Sequence, residues 1–298
     1  MKKNKRLIVI VGATAVGKTA CCIQLAKKLK TVIISADSRQ FYREMTIGTA
    51  KPSEEELAIV QHYFINSHSI TQEYNAGQYE KDVLALLETL FLSYDDVILT
   101  GGSGLYINAV CQGMDNMPEI PENLRATLQD RFEKEGLESL VAELAKLDPS
   151  YYNQVDKANS QRVIRALEVC LASGKTYSSF RIKDTHLRPF EIIKIGLERE
   201  RTELYARIDA RMDIMLAQGL LDEVKNLISY RQHNALQTVG YKEIFEFWDK
   251  QYDWEECLRL LKRNTRHYAK RQLTWFRKDK EIIWFDANDV DKILEFIK

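Results

Sequence analysis

Residues 12–19 carry the clearest chemistry in this chain. They read Gly12-Ala13-Thr14-Ala15-Val16-Gly17-Lys18-Thr19 and match the phosphate-binding pattern G-x-x-x-x-G-K-[ST] at each fixed position. Glycines let such a loop curl so that successive backbone N–H groups point at phosphate oxygens, and Lys18 adds a positive charge. The Thr19 hydroxyl is a ligand suited to Mg²⁺. The motif therefore predicts a site for a di- or triphosphate together with Mg²⁺.

The segments around this motif have the patterns that a phosphate loop requires. An apolar, β-branched run at 7–11 precedes the loop, and a helical pattern follows at 20–29. Further strand patterns occur at 31–35 and 96–100, and a helical segment covers 75–92 between them. Strands that alternate with helices predict an α/β fold, here a P-loop NTPase-like parallel sheet flanked by helices.

Asp37 follows the second predicted strand. Ligand sites of parallel sheets lie at the carboxyl ends of the strands, so we expect Asp37 to lie beside the phosphate loop. A carboxylate there could accept a proton from a nucleophile or hold Mg²⁺ through water. The alternative is a structural turn in which Asp37 caps the backbone of Ser38 or Arg39.

The strand pattern at 96–100 lacks the acid that an ordinary ATPase uses at this place to hold Mg²⁺. It continues into Gly101-Gly102-Ser103-Gly104, where adjacent glycines permit the close approach of a ligand or of another backbone segment. The sequence thus argues against an ordinary ATPase and places the Ser103 hydroxyl at the same sheet edge as Asp37.

Positive charge is concentrated near the carboxyl end of a chain whose formal net charge is zero. Arg259, Arg263, Arg266 and Lys270 share one face of a predicted helix over 254–278. Such a face is suited to a polyanion. The alternative is a solvated helix face that acids elsewhere in the chain balance.

Two other segments are candidates for anion or nucleic-acid binding. Arg207 and Arg211, four residues apart on a predicted helix, could clamp an anion, although Glu203 and Asp209 are near enough to form ordinary salt bridges instead. The segment Gln161-Arg162-Val163-Ile164-Arg165 opens another predicted helix. A glutamine side chain can read a base edge, and an ordinary amphipathic helix start is the alternative there.

The strand signal stops near Met117 and returns at 191–197. The intervening segment has helical patterns, with Asn159 as the N-cap and Gly174 as the stop of one helix. We predict three segments: the first part of the core at 1–116, a helical insertion domain at 117–190, and a helix-rich, basic C-terminal part that completes the core at 191–298.

Composition limits the class of protein. The chain has 298 residues, of which 45% are hydrophobic and 29% charged, and these values are ordinary for a globular protein. Its five cysteines form no C-x-x-C pair, which argues against a disulfide framework or a zinc site and favours a reducing compartment. No apolar stretch approaches the length of a transmembrane helix. We expect a cytoplasmic protein without a membrane partner.

Taken together, these segments resemble the bacterial tRNA dimethylallyltransferases, also called tRNA Δ2-isopentenylpyrophosphate transferases. The resemblance spans nearly the whole chain and rests on the order and spacing of motifs that are weak one by one. Ala13 stands where many relatives have proline, and Ser103 where many have threonine. Besides the phosphate loop, the motifs are SADSRQ at 35–40, MTIGTAKP at 45–52, GGSGLY at 101–106, SQRVIRALEV at 160–169, SGKT at 173–176, VGYK at 239–242 and KRQLTWFR at 270–277.

This resemblance implies transfer of a dimethylallyl group from dimethylallyl diphosphate to the exocyclic N6 amine of the adenosine on the 3′ side of the anticodon in tRNA, with release of pyrophosphate. It implies that Asp37 is the general base and that residues 12–19 hold the diphosphate. Thr19, Arg211 and Mg²⁺ would stabilise the charge that develops on the leaving group.

The same resemblance implies that the anticodon stem-loop of tRNA is the macromolecular partner, with its target base turned out of the stack. The insertion domain would clamp this stem-loop, and we expect the protein to be a monomer. The implied tRNA-binding residues are Asp37, Ser38, Arg39, Gln40, Ser103, Arg125, Gln161, Arg162, Val163, Ile164 and Arg165.

Two other functions use some of the same residues. A P-loop kinase for a small molecule or nucleotide would bind ATP at residues 12–19 and use Asp37 as the base towards a hydroxyl group. A nucleotide-gated RNA-binding protein would explain Lys18 and the basic helix but would give Asp37 no role.

Overall fold

The computed structural model describes residues 5–182 and 187–298. The chain divides into two compact units, of which the first combines Met1–Cys111 with Leu187–Lys298. The second unit is Gln112–His186. The second unit is thus inserted, in sequence, between the two segments of the first.

A six-stranded sheet lies at the centre of the first unit, and its strands run in the order β3-β2-β4-β1-β5-β6 with every pairing parallel. Because the strands are parallel, their carboxyl ends share one edge, which brings together the segments after β1, β2 and β4. The strands are β1 (Arg6–Gly12), β2 (Ile33–Ser35), β3 (His62–Tyr63), β4 (Asp96–Gly101), β5 (Glu191–Glu198) and β6 (Ile283–Asp286).

The central strand β1 is buried on both faces. Alternation sends Ile8 and Ile10 to one face, and sends Leu7, Val9 and Val11 to the other. A strand that is covered on both sides needs a continuous apolar run rather than an alternating pattern. This requirement explains the uninterrupted apolar sequence that precedes the phosphate loop.

Helices cover both faces of the sheet. The face with Ile8 packs against α1, α10 and α14, whereas the opposite face packs against α3 and α4. In chain order the helices are α1 (Lys18–Leu29), α2 (Glu54–Ile59), α3 (Ala76–Ser93), α4 (Gly104–Gln112), α5 (Glu122–Glu135), α6 (Leu137–Leu147), α7 (Pro149–Tyr152), α8 (Ser160–Ser173), α9 (Tyr177–Phe180), α10 (Arg201–Ala217), α11 (Leu220–Asn226), α12 (Lys242–Trp248), α13 (Trp254–Phe276) and α14 (Val290–Ile297).

A third apolar cluster of the first unit holds the segment that follows β2. Met45 packs there with Met212 of α10, with Tyr241, which precedes α12, and with Leu261 of α13. All four side chains are buried. Burial of apolar surface is the main favourable term in such packing. The cluster fixes the loop at 45–50 beside α10 and α13.

The second unit is helical and has its own core, which includes Leu128 of α5, Leu140 of α6 and Val163 of α8. The Asn159 side chain accepts a hydrogen bond from the backbone N–H of Arg162 at 3.1 Å, which caps α8. Gly174 ends that helix with a left-handed φ of 67°. Both predicted ends of this helix are confirmed.

The parallel sheet with flanking helices confirms the predicted fold. The sequence interpretation missed α2, β3, α4 and the one-turn helices α7 and α9. Ser53 and Glu56 form a capping box at the start of α2, a signature that the sequence contains. Because α2 buries none of its residues, it has no apolar periodicity by which a helix is usually recognised.

Candidate active site

The phosphate loop joins β1 to α1 and has the curled backbone that its motif predicts. Ala15 and Gly17 have positive φ values of 63° and 115°. A side chain at Gly12 would place its Cβ 2.8 Å from the carbonyl oxygen of Leu197 on β5. Gly12 is therefore required by the close approach of a neighbouring strand, and Gly17 by its backbone conformation.

Lys18 lies over the loop to which it belongs. Its Nζ donates to the carbonyl oxygens of Gly12 at 3.0 Å and Ala13 at 2.8 Å. The pKa of Lys18 is lowered to about 8, mainly by burial; the negative charge of Asp37 opposes this shift, and the positive charge of Arg211 adds to it. A half-buried lysine with a second positive charge nearby is suited to an anionic ligand.

Asp37 lies at the sheet edge and lines the same cleft as Lys18 and Thr19. Its Oδ1 accepts a hydrogen bond from the backbone N–H of Arg39 at 3.0 Å, which is the structural turn considered as an alternative. Within 5–182 and 187–298, its Oδ2 has no hydrogen-bond donor. One carboxylate oxygen thus holds the turn and the other is available for chemistry.

The oxygen donors near the phosphate loop fit a Mg²⁺ ion that a diphosphate largely holds. Among the described residues, no group of three or more His, Cys, Asp or Glu side chains could hold a metal by itself. Mg²⁺ commonly keeps several waters and binds through one or two protein oxygens plus substrate phosphates. The Thr19 hydroxyl and the Asp37 carboxylate line one cleft and are donors of this kind.

The neighbours of Asp37 have structural partners. The Ser103 hydroxyl accepts from the backbone N–H of Ser38 at 2.9 Å and donates to the Ser38 hydroxyl at 3.0 Å. The Nε2 of Gln40 donates to the carbonyl oxygens of Thr49 and Ala50, both at 3.1 Å. Gln40 therefore braces the 45–50 loop, and Ser103 ties the end of β4 to the segment that carries Asp37.

The two arginines of the predicted clamp lie on α10 and face the phosphate loop. The Nε of Arg207 donates to the carbonyl oxygen of Ala15 at 2.9 Å, and Nη2 of Arg211 lies 3.5 Å from the carbonyl oxygen of Ala50. Burial lowers the pKa of Arg211, and the charge of Asp37 opposes that shift. Both guanidinium groups line the cleft that contains Lys18.

The acids that could have neutralised this pair serve other arginines. Glu203 pairs with Arg199 at 2.6 Å, and Asp209 pairs with Arg266 at 2.6 Å. Within the part of the chain that the structure describes, no carboxylate forms an ion pair with Arg207 or Arg211. The salt-bridge alternative for these two arginines is therefore not realised.

A second, smaller cleft adjoins Asp37 and has a cavity volume of about 90 Å³. Its walls combine the polar groups of Asp37, Arg39 and Tyr268 with an apolar side. The apolar wall is formed by Ile208, Met212, Met215, Leu220 and Val239. The two clefts share part of their walls, so the phosphate loop and the apolar space adjoin. The shared residues are Thr14, Ala15, Asp37, Thr49, Ala50, Arg211, Met215 and Tyr268.

Glu223 of α11 is a residue of the site region that the sequence interpretation did not find. Its carboxylate accepts from the backbone N–H groups of Thr46 at 2.9 Å, Ile47 at 2.7 Å and Gly48 at 3.0 Å. The hydroxyl of Tyr241 donates to it at 2.6 Å. The motifs at 45–52 and 239–242 indicated that these segments matter, but neither motif identified Glu223 as their shared partner.

In the second unit, two of the proposed tRNA-binding arginines converge on one buried carboxylate. Arg165 Nη1 donates to Glu168 Oε2 at 3.0 Å, and Arg125 Nε of α5 lies 3.3 Å from Glu168 Oε1. Glu168 is 1% exposed, whereas the side chains of Arg125 and Arg165 are 71% and 40% exposed. The buried Glu168 carboxylate thus positions two arginine side chains that are otherwise exposed to solvent.

The other residues at the start of α8 divide between surface and core. Gln161 and Arg162 are exposed, whereas Val163 and Ile164 are buried in the core of the second unit. The side chains that could reach a ligand from this segment are therefore Gln161, Arg162 and Arg165.

Among the residues that the structure describes, acidic side chains pair with some of the basic residues of α13 and leave others without an ion-pair partner. In the described chain, Arg263, Lys270 and Arg271 form no ion pair, and Arg271 lies over the Tyr268 ring at 5.8 Å. The carboxyl half of the helix therefore keeps its positive charge. The paired basic residues are Arg259 with Glu256, Lys262 with Asp213 and Arg266 with Asp209.

Within 5–182 and 187–298, no helix combines the length and the apolar character needed to cross a membrane.

The fold and the site define a P-loop protein in which a carboxylate stands beside the phosphate loop. A family model for IPP transferase matches residues 40–279. The chain belongs to this family of transferases. The match does not favour the kinase alternative.

Bacterial relatives match almost end to end. The tRNA dimethylallyltransferase of Cytophaga hutchinsonii is 52% identical over 295 residues, which cover 99% of this chain and 97% of that protein. The tRNA dimethylallyltransferase 1 of Phocaeicola vulgatus is 49% identical over 291 residues, covering 98% and 97%.

Solved structures of similar proteins share the fold. The tRNA isopentenylpyrophosphate transferase of Bacillus halodurans superposes with a TM-score of 0.73 at 36% identity and covers 98% of this chain and 95% of that one. A eukaryotic dimethylallyltransferase, solved while acting on tRNA, has a TM-score of 0.79 at 27% identity, with coverage of 97% and 75%.

Proposed function

We propose that this protein transfers a dimethylallyl group from dimethylallyl diphosphate to the N6 amine of the adenosine on the 3′ side of the anticodon in tRNA. The names of its relatives support tRNA as the substrate. The observation that carries the reaction is the position of Asp37, which lines the cleft of Lys18 and Thr19 and also borders the adjoining apolar cleft.

The phosphate loop would hold the diphosphate of the donor. Backbone N–H groups of residues 12–19 and the ammonium group of Lys18 would bind its oxygens, and Arg211 would approach from α10. As the allylic C–O bond breaks, these fixed charges stabilise the negative charge that collects on the leaving pyrophosphate. Thr19 is the protein ligand that we assign to Mg²⁺, which, when bound, neutralises part of the same charge.

Asp37 would act as the general base. The exocyclic amine of adenine is a weak nucleophile because its lone pair is delocalised into the ring. When its nitrogen bonds to the allylic carbon, one N–H proton must leave, and Oδ2 of Asp37 would accept it. The C–N bond replaces the C–O bond of the donor, and pyrophosphate departs with its electron pair.

The tRNA would contact both units. In the first unit we assign contacts to the segment Asp37–Gln40 and to Ser103. In the second unit we assign them to Arg125 and to the exposed side chains of 161–165, with Val163 and Ile164 positioning that helix start. The adenine must leave its stack to reach Asp37. We also propose that the enzyme works as a cytoplasmic monomer, because one chain supplies every group assigned here.

Prenyl transfer to unmodified tRNA tests this function. The protein is incubated with tRNA, Mg²⁺ and dimethylallyl diphosphate, and the tRNA is then digested and analysed for prenylated adenosine. The wild-type protein should form this product, and Asp37→Asn should lower kcat about 10²- to 10⁴-fold, because it removes the base and keeps the side-chain shape. Both proteins should bind tRNA, because Asp37→Asn leaves the other assigned contacts in place.

Two outcomes would contradict this assignment. The wild-type protein could bind tRNA without forming the product, or Asp37→Asn could retain full activity. Transfer of phosphate from ATP to a small acceptor, measured in parallel, would support the kinase alternative instead.

A further inference from the structure

Gln272 joins the phosphate loop to the end of β4. Its Oε1 accepts a hydrogen bond from the backbone N–H of Thr14 at 2.8 Å, and its Nε2 donates to the carbonyl oxygen of Gly102 at 3.0 Å. The residue is 5% exposed and belongs to α13. One carboxamide therefore satisfies a donor on the loop and an acceptor on the neighbouring strand end.

The end of the Gln272 side chain occupies the space beside Gly102. A Cβ at Gly102 would overlap the Nε2 of Gln272. Gly102 does not have a left-handed φ, so its backbone would accept another residue, but a side chain there would displace the Gln272 carboxamide from its two hydrogen bonds. The two residues form a matched pair.

The chemistry of the bridge selects glutamine. A carboxylate could accept from Thr14 but could not donate to the Gly102 carbonyl, and it would add negative charge beside a loop that binds an anion. An apolar side chain would leave the buried amide and carbonyl without partners. Tyr268, one helical turn earlier on α13, lines the cleft together with Asp37, so this helix reaches both the loop and the reaction site.

We propose that Gln272 is a positioning residue that fixes the phosphate loop for the diphosphate donor, and that Gly102 is its required partner. This inference rests on the proposed function for the identity of the donor. Loss of the bridge frees the Thr14 segment, so the loop must be ordered again whenever a diphosphate binds. The effect should fall on the affinity for pyrophosphate and on KM for the donor, and not on the affinity for tRNA.

A double-mutant cycle tests the pairing. Gln272→Ala, Gly102→Ala and the double variant are compared with the wild-type protein by calorimetric titration with inorganic pyrophosphate and Mg²⁺. Each single variant should weaken pyrophosphate binding about tenfold, the scale of one or two lost buried hydrogen bonds. In the double variant the added methyl group occupies the space that the amide has left, so its loss should equal that of one single variant.

Further variants separate positioning from general destabilisation. Gln272→Glu should also weaken pyrophosphate binding, because it keeps the acceptor and loses the donor. Gln251→Ala, an exposed glutamine ahead of α13, is the matched control and should bind as the wild type does. The tRNA dissociation constant and the melting temperature are measured for every variant.

Three results would overturn the proposal. They are unchanged pyrophosphate affinity in Gln272→Ala, losses that add in the double variant, and a parallel loss of tRNA affinity that would indicate general destabilisation. The pyrophosphate titration needs no turnover. If the wild-type protein bound pyrophosphate and formed no prenylated tRNA, the proposed function would fail while the cycle still reported on Gln272.

Discussion

The Nζ of Lys18 donates to the carbonyl oxygen of Ala13 at 2.8 Å, so the lysine lies against its own phosphate loop. The pKa of this lysine is lowered from 10.5 to about 8, mainly by burial; Asp37 opposes the shift and Arg211 contributes to it. The charge that we assign to diphosphate binding is therefore close to its titration point near neutral pH.

Raising the pH should weaken donor binding. Lys18 is charged below pH 8 and loses its proton above it, so KM for dimethylallyl diphosphate should rise up to about tenfold between pH 7 and pH 9. Lys18→Ala should bind the donor poorly and show a smaller pH step. Lys51, whose pKa burial also lowers to about 8, remains in that variant and accounts for any residual step. A flat wild-type profile would contradict the assignment.

The lowered pKa of Lys18 has the opposite effect on stability: the charged form favours donor binding but opposes folding. The folded pKa of Lys18 lies below its unfolded value, so burial of the charged form opposes folding below pH 8. That unfavourable term fades as the pH rises from 8 towards 10.5. Lys18→Met should therefore gain more stability over wild type at pH 7 than at pH 10, measured by denaturant unfolding at both values.

Arg211 should stabilise the leaving group. Arg211→Gln should lower kcat/KM about 10- to 100-fold, because it removes a charge beside developing anionic oxygens. It should also raise the pKa of Lys18 and move the KM step to higher pH, since Arg211 is one of the groups that depress that pKa. Arg201→Gln on the same helix is the control, because Arg201 lies over Tyr205 rather than in the cleft. An unshifted step in Arg211→Gln would exclude this coupling.

Glu168 should matter for tRNA rather than for the donor. Glu168→Gln removes the charge that holds Arg125 and Arg165, so KM for tRNA should rise and KM for dimethylallyl diphosphate should stay constant. Stability should fall by about 1–3 kcal/mol, a value reduced for the exposure of both arginines. Glu133→Gln, an exposed acid on α5, is the control. Steady-state kinetics with each substrate varied separately, together with thermal unfolding, distinguish these effects.

Glu223 should stabilise the loop at 45–50, which lines the site. Glu223→Ala leaves three backbone N–H groups and the Tyr241 hydroxyl without their acceptor, which should cost about 2–4 kcal/mol of unfolding free energy. Thr49 and Ala50, in the loop that Glu223 anchors, line the cleft, so KM for the donor should also rise. Asp222→Asn, an exposed neighbour, should change neither quantity. Wild-type stability in Glu223→Ala would show that this network is dispensable.

Local sequence determined the parts of this protein that depend on nearest neighbours. The apolar run ahead of Gly12, the loop glycines and the caps at Asn159 and Gly174 are set by hydrophobic burial and by backbone conformation, and both act within a few residues. The parallel sheet and the position of Asp37 at its edge follow from the same patterns. Short elements such as α2 were not predicted, because they bury too little apolar surface to produce a periodic sequence pattern.

Tertiary structure alone decided which distant groups became partners. Gln272 meets Thr14 across 258 positions of the chain, and Glu223 reaches the amides of Thr46–Gly48. Charge spacing on α10 allowed Arg207 to pair with a neighbouring acid, yet the fold gave Glu203 to Arg199 and Asp209 to Arg266. Hydrogen bonds and ion pairs depend on distances of a few tenths of an ångström. Partner atoms reach those distances only when the strands have paired in register and the helices have packed on the sheet.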